Sequence, residues 1–248
     1  MTLRFRHTLL AGLWLIGSSA SAGGLQVSPV SLSLPSTQRA NSLWLSNTGD
    51  SVVRAQVRVY RWTQEGGEDK LTQSSDLTIS PPMLQVAAGE RQMVRVIRLG
   101  MAPSGPSAVQ EAYRMVIDEL PIEVTAAGVK KGLQFVLSYS VPVFVEPTGP
   151  APRPPQLSWK IHAEGDKATL EVANSGAAHA QLGAMGFTNA AGQRTEINAG
   201  LMGYVLPGAQ MRWALVPAAK VFASGGTLDA MVNMNVIQQV IAPTVISQ

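Results

Sequence analysis

The sequence contains no cysteine, so no disulfide, thiolate nucleophile or cysteine-bound metal is available to it. Histidine is almost as scarce, with three in 248 residues. Neither His162 nor His179 stands in a zinc-binding or catalytic spacing. A glycine loop for phosphate and a nucleophile elbow are also missing. Asp118-Glu119 is a carboxylate pair, but neighbours on a strand point to opposite faces. These absences exclude the usual enzyme classes, and neither cofactor nor metal is expected. Only 14% of residues are charged, and no lysine or arginine cluster forms a nucleic-acid face. No apolar run is long enough to span a bilayer, so stable membrane insertion is not expected.

What is present begins with an export signal. Arg4, Arg6 and His7 form a basic segment, Leu9 to Ile16 a short apolar core, and Ala20-Ser21-Ala22 a small-residue cleavage site. Residues 1–22 therefore read as a signal peptide that is removed, which leaves a mature chain of about 226 residues. Losing Arg4 and Arg6 takes away two of the three net positive charges and leaves +1. An exported chain without disulfides must hold its fold through buried apolar area. The expected location is the bacterial periplasm or the cell exterior.

The rest of the chain reads as strands. Apolar and polar side chains alternate over Leu25–Leu34, Ser42–Ser46, Val53–Trp62, Leu77–Ser80, Met83–Val86, Met93–Leu99 and Tyr113–Glu119. Turn residues separate them, among them Asn47-Thr48-Gly49-Asp50, Gly66-Gly67-Glu68-Asp69, Pro81-Pro82 and Ala88-Gly89. No segment keeps a helical apolar period for three turns. Residues 147–155, Pro-Thr-Gly-Pro-Ala-Pro-Arg-Pro-Pro, form a stiff linker. Beyond it, Leu157–His162, Ala168–Asn174, Ala180–Phe187, Tyr204–Leu206, Met211–Val216 and Leu228–Val240 read as strands again. The predicted fold is all-β: an antiparallel sandwich over 23–147, a hinge over 148–155 and a second sandwich over 156–248. Trp44, Trp62, Trp159 and Trp213 are expected in or near the cores, and Met231 and Met234 in the second core.

The longest alternation is the most informative. Leu133, Phe135, Leu137, Tyr139, Val141, Val143 and Val145 place a continuous apolar ridge on one strand face. Such a ridge can serve its own domain and a partner. A secreted adhesin or structural subunit remains open on these residues alone, although its donor segment would be expected at the N-terminus rather than inside the chain.

The order of motifs resembles the periplasmic pilus-assembly, or chaperone–usher, chaperones. The resemblance covers nearly all of the mature chain. It rests on Leu45-Ser46-Asn47, Val57-Arg58-Val59-Tyr60-Arg61-Trp62, Ser80-Pro81-Pro82, Ala88-Gly89, Met93-Val94-Arg95, Tyr113-Arg114, Asp118-Glu119-Leu120-Pro121 and Leu133–Pro147. In the second domain, Ala173-Asn174-Ser175-Gly176 and Tyr204-Val205-Leu206-Pro207-Gly208 fit as well. Ser-Val-Pro-Val-Phe-Val at 140–145 is similar to the branch serving Csu-type and spore-coat-type pili. The resemblance implies two immunoglobulin-like domains set at an angle. It also implies a chaperone that binds pilus or fimbrial subunits and hands them to an outer-membrane usher.

In that family the strand matching Leu133–Val141 completes a subunit that lacks its last strand. The resemblance assigns Leu133, Phe135 and Leu137, with Tyr139 behind them, to the subunit's groove, and a charge there is expected to harm the free chaperone less than a change at Val136. Full burial of the first three would contribute roughly 5–9 kcal/mol before ordering costs. Family members also hold the subunit's C-terminal carboxylate with a first-strand arginine and a lysine of the donor strand. Neither window here, 25–38 or 133–146, contains Lys or Arg, and Glu146 stands where a basic residue often precedes the joining proline. Arg95 and Arg114 are the candidate replacements, with Arg98 in reserve and Lys130 weaker.

Overall fold

Strands with one apolar face must bury it, and this chain does so twice. The computed structural model describes residues 24–121, 136–149, 153–243 and the backbone of 246–247. The first part contains β1 (Leu25–Ser28), β2 (Leu32–Leu34), β3 (Ala40–Asn47), β4 (Val53–Glu65), β5 (Glu68–Gln73), β6 (Leu77–Ser80), β7 (Met83–Val86), β8 (Arg91–Arg98), β9 (Glu111–Leu120) and β10 (Ser138–Val145). One sheet runs β1-β3-β8-β6; the other runs β2-β10-β9-β4-β5, with β7 also on β4. The second part contains β11 (Leu157–Glu164), β12 (Lys167–Asn174), β13 (Ala180–Asn189), β14 (Arg194–Val205), β15 (Gln210–Leu215), β16 (Gly226–Val232), β17 (Asn235–Ile241) and β18 (Ile246–Ser247). Its sheets run β15-β12-β11-β18 and β14-β13-β16-β17. Each pair of sheets closes on its own core. Leu34, Leu43, Met115 and Ile117 are fully buried in the first; Leu170, Leu182, Phe187 and Phe222 in the second. The architecture is two all-β, immunoglobulin-like sandwiches, as the alternation predicts.

Four readings of the sequence need correction. The run 25–34 is two strands on different sheets, because Pro29 has no N–H for a ladder and the chain crosses over there. The turn at Gly66–Asp69 is shorter than expected: Gly66 and Gly67 take positive φ, and Glu68 already begins β5, whose exposed residues show no alternation. The run 228–240 is a hairpin whose tip is Asn233-Met234, with φ of 47° and 65°. Asn233 is held there from outside, accepting from the Gln181 N–H at 2.7 Å and donating to the His179 carbonyl at 3.0 Å. β14 begins ten residues earlier than Tyr204, hidden in sequence by its two glycines and its bulged course. Three side chains also lie elsewhere than expected. Trp44 is 37% exposed with the Arg91 guanidinium over its ring, and Met231 and Met234 are on the surface.

Both sandwiches use a buried asparagine to close a turn. Asn47 donates to the carbonyls of Ser51 and Val86 and accepts from Gly49 N–H. Asn174 donates to those of Ala178 and Val205 and accepts from Gly176 N–H. Asn174 also accepts from Gln156 N–H, which ties the end of the linker to the second sandwich. Ser175 N–H donates to the Gln156 carbonyl and Ala177 N–H to that of Arg153. The linker lies so close that a Cβ on Gly176 would stand 2.3 Å from the Pro154 carbonyl oxygen.

A third apolar cluster joins the two sandwiches: Trp62, Ala112 and Phe144 from the first, Tyr204 and Leu206 from the second. Trp62 meets Tyr204 edge-on at 5.4 Å, and Phe144 stacks on the His179 ring at 3.6 Å and 3°. Polar groups at the rim are paired except Glu146 Oε2, which is buried without a hydrogen-bond partner among the described residues. Gln64 donates to the Tyr204 carbonyl at 2.9 Å and accepts from Leu206 N–H at 2.8 Å. Gln110 accepts from His179 N–H, lies 2.6 Å from His179 Nδ1 and donates to Glu146, which also accepts from Ser33. Glu146 is thus hydrogen-bonded by neutral partners and forms no ion pair among the described residues. Burial pushes His179 down to about 4.

Two predictions follow from this packing. Gly176→Ala must displace the linker backbone and should cost about 1–3 kcal/mol, whereas Gly100→Ala, with open space around it, should stay within about 0.5 kcal/mol. Urea unfolding measures both, and equal midpoints would refute the close approach. His179 is neutral in the folded protein because its pKa lies below the ordinary 6.5. Stability should therefore be full above about pH 6.5 and fall as pH drops towards 4, at no more than ~1.4 kcal/mol per pH unit. The wild-type minus His179→Phe difference isolates this slope from Asp76 and Asp118, whose pKa values are also lowered. A difference that stays flat from pH 7 to pH 4 would refute it.

Candidate functional site

β10 divides its two faces between two tasks. Val141, Val143 and Val145 enter the first core, while Pro142 and Phe144 point to the second sandwich. One edge of β10 pairs with β9 along its full length, Ser138 opposite Asp118 to Val145 opposite Glu111. The other edge meets β2 only at Val143–Val145. Ser138–Pro142 therefore present backbone groups on an edge with no partner strand among the described residues. The apolar ridge emerges from the core along this open stretch. Tyr139 still packs on the core and donates its hydroxyl to the Leu25 carbonyl. Burial raises its pKa, with Glu119 adding to the effect. Leu137 is 38% exposed, its Cδ1 resting against Gly24. Leu133, Phe135 and Lys130 lie outside the described residues. Val136 is 50% exposed, more so than Leu137.

The open edge borders a cleft of about 470 Å³ between the sandwiches. Val27, Tyr139 and Pro142 line it from one side, Leu201, Met202, Tyr204 and Trp213 from the other. Arg114 stands inside it. Opposite Pro142 on the ladder, it projects from β9 across the face of Trp62, 3.7 Å from the ring centroid, and lies 5.1 Å from that of Tyr204. Its Nη1 is 3.5 Å from the Ser140 carbonyl, and it forms no ion pair among the described residues. Burial pulls its pKa down, while Asp69 and Tyr204 oppose the shift. Arginine stays charged even so. Asp69 is occupied, accepting from Trp62 Nε1 and Gln64 Nε2, each at 2.9 Å.

The other two arginines are placed differently. Arg95 lies on β8, opposite Ser42 and Ser80, and is exposed on the sheet that does not contain β10. Arg98 is 6% exposed at the end of β8, donating Nη2 to the Ser36 carbonyl at 2.8 Å, while its Nε and Nη1 have no hydrogen-bond partner. Neither lines the cleft that holds Arg114. The alternation of β9 identified Arg114, but not the platform of Trp62 and Tyr204 beneath it. The Tyr204-Val205-Leu206-Pro207-Gly208 motif was the only signal that the second sandwich reaches this site. Among the described residues no group of His, Asp or Glu is arranged to hold a metal ion, and no helix is long and apolar enough to cross a membrane.

The chain resembles several solved structures. A chain of the chaperone–tip adhesion subunit pre-assembly complex CsuC–CsuE, from archaic chaperone-usher Csu pili of Acinetobacter baumannii, is 22% identical. The match covers 90% of this chain and 99% of that one, with a TM-score of 0.67. A chain of the Salmonella enterica SafA pilin–SafB chaperone complex is 14% identical over 88% of this chain and 96% of that one, at 0.60. The E. coli chaperone DraB is 15% identical over 89% and 97%, at 0.59. At these identities the likeness is one of fold, and of the three the Csu complex agrees best, as Ser140–Val145 leads one to expect. No curated protein matches the sequence. The model of the pili and flagellar-assembly chaperones, PapD N-terminal domain, matches residues 24–151, a span that includes both β10 and Arg114. The adhesin reading is not favoured, and the chain belongs to the family of pili and flagellar-assembly chaperones.

Proposed function

We propose that this protein captures pilus or fimbrial subunits in the periplasm by donating β10 and the residues before it to an incomplete subunit sandwich, then delivers them to an outer-membrane usher. The observation that carries this is that, among the described residues, the edge of Ser138–Pro142 has no partner strand and the adjoining cleft holds an arginine with no carboxylate partner. The edge supplies backbone donors and acceptors to a subunit strand. Leu133, Phe135 and Leu137, with Tyr139 behind them, fill the subunit's groove. No cofactor or nucleotide enters the cycle; strand pairing and apolar burial provide the binding energy. The subunit's C-terminal carboxylate lies against Arg114, whose planar fork can accept it bidentately. Arg95 and Arg98 are the lesser candidates, since one is on the opposite sheet and the other is enclosed.

A co-expressed subunit recovered with the chaperone from periplasmic extract tests the reading. Leu133→Glu, Phe135→Glu and Leu137→Glu should each abolish recovery while the free protein unfolds at the wild-type temperature. Normal recovery by all three would end the donor-strand proposal. Arg114→Ala should weaken binding about 10- to 100-fold, the worth of a lost charge-assisted pair. Arg114→Lys should recover part of that, and Arg95→Ala should change nothing. Loss of binding only in step with loss of thermal stability would remove Arg114 as the anchor.

A further inference from the structure

The cleft around Arg114 is chemically two-sided. Its cation sits at one wall, and the remaining wall is mostly apolar: Val27 and Val30 from the first sandwich, Leu201, Met202 and Trp213 from the second. Trp213 packs close over Gly203 of β14, where a side chain would force the ring to give way. A Cβ there would stand 3.0 Å from the Trp213 ring carbon Cζ2 and 3.2 Å from Nε1. Leu201, 58% exposed, forms an open apolar lip of the cleft. A ligand that satisfies both walls carries a carboxylate and a large apolar group on adjacent atoms. The last residue of a polypeptide has that form when its side chain is apolar.

We propose that the cleft selects the subunit's terminal residue, favouring a large apolar side chain held by Leu201, Met202 and Trp213 while its carboxylate meets Arg114. The inference rests on the anchoring role given to Arg114 above. A terminal acidic residue is disfavoured, because one arginine faces two carboxylates with Asp69 nearby. Asp69 does not invite a terminal lysine either, since Trp62 and Gln64 already hold it.

Labelled nine-residue peptides of alternating Thr and Val, ending in Leu, Ser or Lys, provide the probe. Each is made as free acid and as C-terminal amide, and binding to the mature chaperone is followed by fluorescence anisotropy. The Leu acid should bind about ten-fold or more tightly than the Ser and Lys acids. Amidation should weaken it by a similar factor. Leu201→Glu, at an exposed position that leaves thermal unfolding unchanged, should erase the preference for Leu. Equal binding by the Leu and Ser acids, a preference for Lys, or no saturable binding by any free acid would overturn the inference. Equal Leu and Ser acids that both lose affinity on amidation would overturn the pocket and leave the anchor. A preference for Leu that survives amidation would overturn the anchor and keep the pocket.

Discussion

Side chains on a strand alternate between two faces, and most of this molecule depends on how β10 uses that alternation. Val141, Val143 and Val145 close the first core, while Phe144 enters the cluster shared with the second sandwich. The same strand is therefore rooted in both halves of the protein at its C-terminal end. Its other end has no partner on one edge among the described residues, because β2 pairs with it only from Leu32 onward. A rooted strand with an open edge is a preorganised template: its backbone is already extended, so less conformational entropy is lost when another strand pairs with it.

Electrostatics in the cleft follow from a second constraint. A guanidinium withdrawn from water needs compensation. Arg114 finds it in the faces of Trp62 and Tyr204 and in the field of Asp69, none of which occupies its hydrogen-bonding fork as an ion pair would. A carboxylate within 4 Å would have left the same arginine structurally satisfied and unavailable. Arg61 shows that case, paired with Glu111 at 3.2 Å and Asp76 at 3.7 Å. The difference between the two arginines lies in their neighbours.

Much of this could be read in the residues, and the limits have physical causes. Alternation found the strands wherever one face is buried and missed those where it is not, as in β5 and the first part of β14. The hairpin tip at Asn233-Met234 was invisible because its apolar pattern runs through the turn, and it is fixed by side-chain bonds to Gln181 and His179, more than fifty residues away. The segment proposed as the donor is legible because its period is local. Arg114 was legible as a candidate only, since choosing among three arginines requires knowing which sheet and which face each occupies. Trp62 is buried, as expected of a residue in or near a core, and the core it joins is the cluster between the sandwiches. Periodicity shows that a side chain is buried, but not against which domain.

Gln64 gives the junction an unusual property. Its single side-chain amide donates to the carbonyl of Tyr204 and accepts from the N–H of Leu206, as a neighbouring strand would. Along residues 204–206, donors and acceptors point alternately to opposite sides. Sliding the second sandwich by one residue, about 3.4 Å, would turn the matching groups away from the amide. Intermediate positions would leave the amide oxygen and both backbone groups without these bonds, while Nε2 would keep only its bond to Asp69. The register of the second sandwich against Gln64 is thus favoured at discrete positions of the peptide repeat. Tyr204 also lines the cleft that holds Arg114, so the same two bonds fix the register of one of that cleft's walls.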